Sequence, residues 1–95
     1  MSAVLMEKPK ASLFATGIVT RIPAPADEVK LLVLNSLGSV ASESSKLSPD
    51  TMVTLSFSAE LMNKAGSEPY YLLVKGFSKG NLAWEQRLGS FRFRV

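Results

Sequence analysis

Residues 25–40 read Pro-Ala-Asp-Glu-Val-Lys-Leu-Leu-Val-Leu-Asn-Ser-Leu-Gly-Ser-Val, and the conformation given to them decides the fold. Val29, Leu32, Val33, Leu37 and Val40 fall at i, i+3, i+4, i+8 and i+11, one apolar stripe at helical spacing. Pro25 suits a first helical turn, where its missing amide proton is not needed. Asp27 and Glu28 follow it, placing negative charge at the positive end of a helix dipole. These signals agree on an amphipathic helix opening at Pro25, with Gly38 loosening its last turn. A strand over residues 29–34 is the competing reading of the same apolar run.

Upstream, residues 12–22 (Ser-Leu-Phe-Ala-Thr-Gly-Ile-Val-Thr-Arg-Ile) are rich in β-branched side chains and read as a strand. Phe14, Ile18 and Ile22 share one face with Thr16 and Thr20, and Gly17 marks a bulge or a close backbone approach. Residues 1–11, with Glu7-Lys8-Pro9-Lys10, read as a flexible N-terminal arm. Downstream, the serine-rich residues 41–50 read as a linker closed by the turn chemistry of Pro49-Asp50. Over residues 51–61, Val53, Leu55, Phe57, Ala59 and Leu61 alternate with hydroxylated or charged side chains, which predicts a half-buried strand. Residues 63–69 form a turn, and residues 70–77 a central strand that is apolar on both faces. Ser78-Lys79-Gly80-Asn81 is a hairpin signal.

A two-residue loop at Lys79-Gly80 pairs Phe77 with Leu82, Lys75 with Trp84, Leu73 with Gln86 and Tyr71 with Leu88, the side expected to face the core. Lys75 opposite Trp84 would allow a cation–π contact. Val74 and Leu72 then share the outward face with Glu85 and Arg87. Continued straight, this register would bury Arg92 and Arg94. An irregularity at Gly89-Ser90 is therefore expected, turning Phe91, Phe93 and Val95 inward and both arginines outward.

The resulting expectation is a two-layer α+β domain over residues 12–95. One amphipathic helix packs on a mainly antiparallel sheet of four to five strands, in the order β-α-β-β-β. The length of 95 residues fits one domain, and 46% hydrophobic with 20% charged residues is globular composition. Cysteine and histidine are both absent, which excludes disulfides, thiolate chemistry, imidazole bases and the commonest metal ligands. Asp27 and Asp50 are explained by capping and turn chemistry, and no phosphate-binding loop or Asp-x-Asp spacing occurs. A non-enzymatic chain without cofactor or metal is expected. The longest apolar stretch, Leu31–Leu34, is far short of the ~20 residues of a membrane helix, so a soluble, intracellular location is expected.

Two binding readings follow. Residues 1–63 carry five cations against six carboxylates, and residues 64–95 six against two, giving a net charge of +3 concentrated in the last third. The first reading is a protein-interaction or self-assembly module, a homodimer through a sheet face or an edge strand. Tyr70, Leu72 and Val74 supply its half-apolar face, and Arg92 and Arg94 lie on a C-terminal edge strand, Phe91–Val95. The alternative is a nucleic-acid-binding sheet for single-stranded DNA or RNA. There Lys75, Lys79, Arg87, Arg92 and Arg94 meet phosphates, while Trp84 or Tyr71 stacks on bases.

Overall fold

The computed structural model of the chain describes residues 2–6, 12–14, 16–62 and 68–94. Its elements are β1 (Ser2–Met6), β2 (Ser12–Phe14), β3 (Gly17–Arg21), β4 (Glu28–Leu34), β5 (Val40–Leu47), β6 (Met52–Ser56), the single helical turn α1 (Ala59–Met62), β7 (Pro69–Ser78) and β8 (Asn81–Arg94). They form a five-stranded sheet ordered β1-β8-β7-β4-β5 and a three-stranded sheet ordered β2-β3-β6. All pairings are antiparallel. The expected α+β architecture is therefore wrong. The expected amphipathic helix is absent: the helical segment among the described residues is the four-residue turn α1, and the core lies between two sheets.

The reason lies in residues 25–40. Burial along β4 alternates at period two: Val29, Leu31 and Val33 are fully buried, and Glu28, Lys30, Leu32 and Leu34 lie on the other side. Leu37 and Val40, assigned to the helical stripe, are 88% and 55% exposed. Asn35-Ser-Leu-Gly38 is a turn, not a last helical turn. The Asn35 amide donates to Ser39 O at 2.9 Å, and the Asn35 side-chain oxygen accepts from the Leu37 and Ser39 amides at 2.9 and 3.0 Å. Gly38 supplies a φ of +83°. Asp27 is no helix cap either. Its Oδ2 accepts from the Lys79 amide at 2.7 Å, tying the start of β4 to the turn between β7 and β8.

The serine-rich linker is mostly β5, paired with β4 from Glu28↔Leu47 to Leu34↔Val40. The strand expected over residues 12–22 is split into the β2–β3 hairpin, with Phe14 opposite Gly17. A side chain at Gly17 would run into the Leu55 backbone, so the glycine marks the close approach of β6. β6 keeps its expected alternation, with Val53, Leu55 and then Phe57 buried. Leu61 is also buried, but from α1, where Ser58 Oγ accepts the Leu61 amide at 3.3 Å as an N-cap. Ser2–Met6, expected as part of an arm, pair with β8 as β1. Residues 7–11 and the turn residues 63–67 lie outside the described residues.

The hairpin β7–β8 turns at Lys79-Gly80, both at positive φ (51° and 80°), with Phe77 opposite Leu82 as expected. Two irregularities then shift the register, between Gly76 and Phe77 and between Leu72 and Leu73. The second falls beside Gly89 (φ +118°), leaves Phe91 fully buried and puts Arg92 in solvent. The first was not foreseen and moves Trp84 from opposite Lys75 to opposite Gly76. Between the sheets, Phe57 stacks on Phe91 with centroids 5.2 Å apart, and Tyr70 lies 5.8 Å from Phe91. Ile18, Leu55, Leu61, Leu72, Val74 and Leu88 complete the centre of this core.

Candidate functional site

The three-stranded sheet covers only one side of the five-stranded sheet. Strand pairing fixes which side chains share the other side, because paired residues point the same way. Across β5, β4, β7 and β8 they form four rows: Val40–Leu34–Tyr71–Ser90, Glu43–Leu32–Leu73–Arg87, Ser45–Lys30–Lys75–Glu85 and Leu47–Glu28–Phe77–Leu82. Val40, Leu47, Tyr71 and Leu82 are about half exposed or more, while Leu32, Leu34, Leu73 and Phe77 are half-buried against their neighbours. The outer face is thus an apolar band crossed by charge.

At one end, the Asn35–Gly38 turn and the Gly89 bulge bound a cleft of about 500 Å³ lined by Leu34, Tyr71, Arg87 and Ser90. Lys75 Nζ lies 3.7 Å from Glu85 Oε1, an exposed pair worth about 0–1 kcal/mol. Lys30 Nζ lies 5.4 Å from the centroid of the Phe77 ring. The cation–π contact expected between Lys75 and Trp84 is therefore not made. Arg87 and Glu43 are exposed and form no ion pair among the described residues. Including Arg92, which is opposite Pro69, the face carries four cations (Lys30, Lys75, Arg87, Arg92) and three carboxylates (Glu28, Glu43, Glu85) among its described side chains.

The residues selected from sequence divide between the two sides of the sheet. Tyr70, Leu72 and Val74, expected on a half-apolar outer face, are 6%, 1% and 1% exposed and belong to the core. The face expected for the core, Tyr71, Leu73, Lys75 and Phe77, is the outer one. Burial pushes the Tyr70 hydroxyl above its ordinary pKa, and the nearby Glu68 charge adds to the shift. Trp84 packs over Gly76 on the core side, with its indole N–H donating to Ala24 O at 3.0 Å.

Lys75, Arg87 and Arg92 share the outer face, but Lys79 sits at the hairpin tip, ten residues along β7 from the end facing Arg92 and so roughly 30 Å away. The side chain of Arg94 lies outside the described part of the structure, as do the side chain of Phe93 and all of Val95. The expected C-terminal edge strand is not the sheet edge: residues 91–94 of β8 pair with β1, and Phe91 and Arg92 pair with β7 as well. The outer edge of the sheet on the β4 side is β5.

Sequence reasoning missed Leu32, Leu34, Tyr71, Leu73 and Glu43 as members of one surface. The available signal was the run Leu31–Leu34, apolar at both parities, which a strand exposes on one side. No group of side chains suited to holding a metal occurs among the described residues, and no helix there is long and apolar enough to cross a membrane. No family model, curated protein or solved structure matches the chain.

Proposed function

We propose that the chain is a non-enzymatic interaction module that self-associates through the outer face of its five-stranded sheet. The observation supporting this reading is the apolar band Leu34–Tyr71, Leu32–Leu73 and Phe77–Leu82, left without a covering layer among the described residues. Sheet faces of this composition are buried against another layer in two-layer domains, and uncovered apolar patches mark interaction surfaces. The face's nearly balanced charge favours a protein partner over a polyanion. Four strands and four rows give a footprint of roughly 19 by 27 Å, about 500 Å² per partner. Two such footprints reach only the lower limit of specific interfaces, the size class of weak or transient contacts.

Sedimentation equilibrium from about 1 to about 500 µM tests this. The wild-type chain passes from monomer to dimer, and Leu73→Glu, at the centre of the band, stays monomeric while remaining folded. A monomer throughout, or a dimer indifferent to Leu73→Glu, overturns the reading.

A second reading rests on Tyr71, which is 45% exposed and has Arg87 and Arg92 in the adjoining rows. It is a ring between two guanidinium groups that single-stranded nucleic acid would use for stacking and phosphate contact. Fluorescence anisotropy with labelled single-stranded DNA and RNA at two salt concentrations separates the two. Tight binding with a steep salt slope would replace the first reading.

A further inference from the structure

Resting on the outer-face reading, we infer that the occupant of this face is a second copy. Its two-fold axis runs parallel to the strands between β4 and β7, so that Arg87 of each copy meets Glu43 of the other. The inference comes from the symmetry of one row. Glu43, Leu32, Leu73 and Arg87 lie in register across four strands, with opposite charges at the ends and leucines in the middle. The end residues are three strand spacings apart, about 14 Å, too far to pair within one copy. Both are exposed and without an ion partner among the described residues.

Rotation about an axis parallel to the strands reverses the strand order and keeps the rows at the same height. β8 then faces β5 of the second copy, and β7 faces β4. Arg87 meets Glu43 twice, Leu73 meets Leu32, Tyr71 meets Leu34 and Leu82 meets Leu47. An isologous contact requires this kind of self-complementarity. An axis perpendicular to the strands through the middle of the face would bring Arg87 to Glu85, which Lys75 of the same copy already engages, and would set Leu73 against Lys75 and Leu32 against Lys30. An axis perpendicular to the strands through the Arg87 row would oppose arginine to arginine and glutamate to glutamate. Like charges set against each other count against an arrangement.

Two rows work against the chosen geometry, because Phe77 comes to face Glu28 and Lys30 comes to face Lys75. Within each copy Lys75 leans to Glu85 and Lys30 to the Phe77 ring, which draws both ammonium groups toward local partners. The lysine row makes the orientation testable: a carboxylate at position 30 would face Lys75 of the second copy.

Sedimentation equilibrium on Arg87→Glu, Glu43→Arg, the double variant and Lys30→Glu tests the inference, with thermal unfolding confirming that each is folded. Each single variant at the row ends is expected to weaken the dimer about tenfold or more, and the double variant to return to within about threefold of wild type. Lys30→Glu is expected to tighten it severalfold. If Leu73→Glu abolishes association but the double variant is no better than its parents, the face is right and this orientation is overturned. If Lys30→Glu weakens the dimer, the orientation is likewise overturned. If association survives Leu73→Glu, the outer-face reading falls and the orientation with it.

Discussion

Gly76 lacks a side chain because Trp84 occupies the space: a Cβ there would fall within the indole ring. The tryptophan is held in turn by its bond to Ala24 O. Gly76→Ala is therefore expected to cost about 2 kcal/mol by overpacking and to shift tryptophan emission to the red. Urea unfolding followed by fluorescence measures both, and a neutral substitution would show that Trp84 is not seated there. Tyr70 is a second residue with a defined signature. Its raised pKa means that the folded state keeps the phenol proton longer than the unfolded chain does. This contribution to stability is present below the unfolded value of about 10 and is lost as pH rises through the folded one. The fall in stability above pH 10 is expected to be shallower in Tyr70→Phe than in wild type, and identical slopes would contradict the burial of the hydroxyl. At this scale the turn at Lys79-Gly80 and the irregularity beside Gly89 were legible, since both follow from local backbone chemistry or from the cost of burying arginine. The place of Trp84 was not, because an extra residue at Ala83 leaves no mark in side-chain type.

β4 shows why element type was harder to read. Val29 and Val33 lie on one face at either period, and only Leu31 and Leu32 distinguish them: the helix buries Leu32, the strand Leu31. Pro25, Asp27 and Glu28 tilted the sequence toward a helix, yet the Asp27 carboxylate is used by the Lys79 amide across the sheet. Leu31→Ala is expected to cost about 2–5 kcal/mol, as a fully buried leucine does. Leu32→Ala should cost about 1 kcal/mol or less at concentrations below dimerisation. Denaturant titration of the pair decides between the two conformations, and the reverse order of losses would restore the helix. β5 escaped notice for a different reason. An edge strand needs few apolar side chains, and serines with Glu43 and Lys46 resemble a loop. Only tertiary pairing reveals it, as in the Ser58 amide's bond to Ser42 Oγ at 2.9 Å. β6 and β7 were legible, the first from strict alternation and the second from apolar residues on both faces.

For the whole molecule, the error over β4 propagates to the surface. A helix would have covered one face of the sheet and left the half-apolar face expected to carry Tyr70, Leu72 and Val74. The observed sandwich uses β2, β3 and β6 as its second layer and leaves Leu32, Leu34, Tyr71 and Leu73 outside. The selected residues Tyr70, Leu72 and Val74 thereby changed places with their immediate neighbours, since a shift of one residue exchanges the faces of a strand. The basic C-terminal third likewise does not gather at one point: Lys75 is engaged by Glu85, and Lys79 stands at the far tip. What remains is a sandwich with one sheet face uncovered among the described residues, and its covering by a second copy is the central claim. An amide chemical-shift dilution series tests it most directly, because every described backbone amide in both sheets reports at once. The expected result is a set of concentration-dependent shifts confined to β4, β5, β7 and β8 around the Leu32–Leu73 row, with β3 and β6 silent. Spectra unchanged from micromolar to millimolar concentration, or shifts centred on β3 and β6, would contradict it.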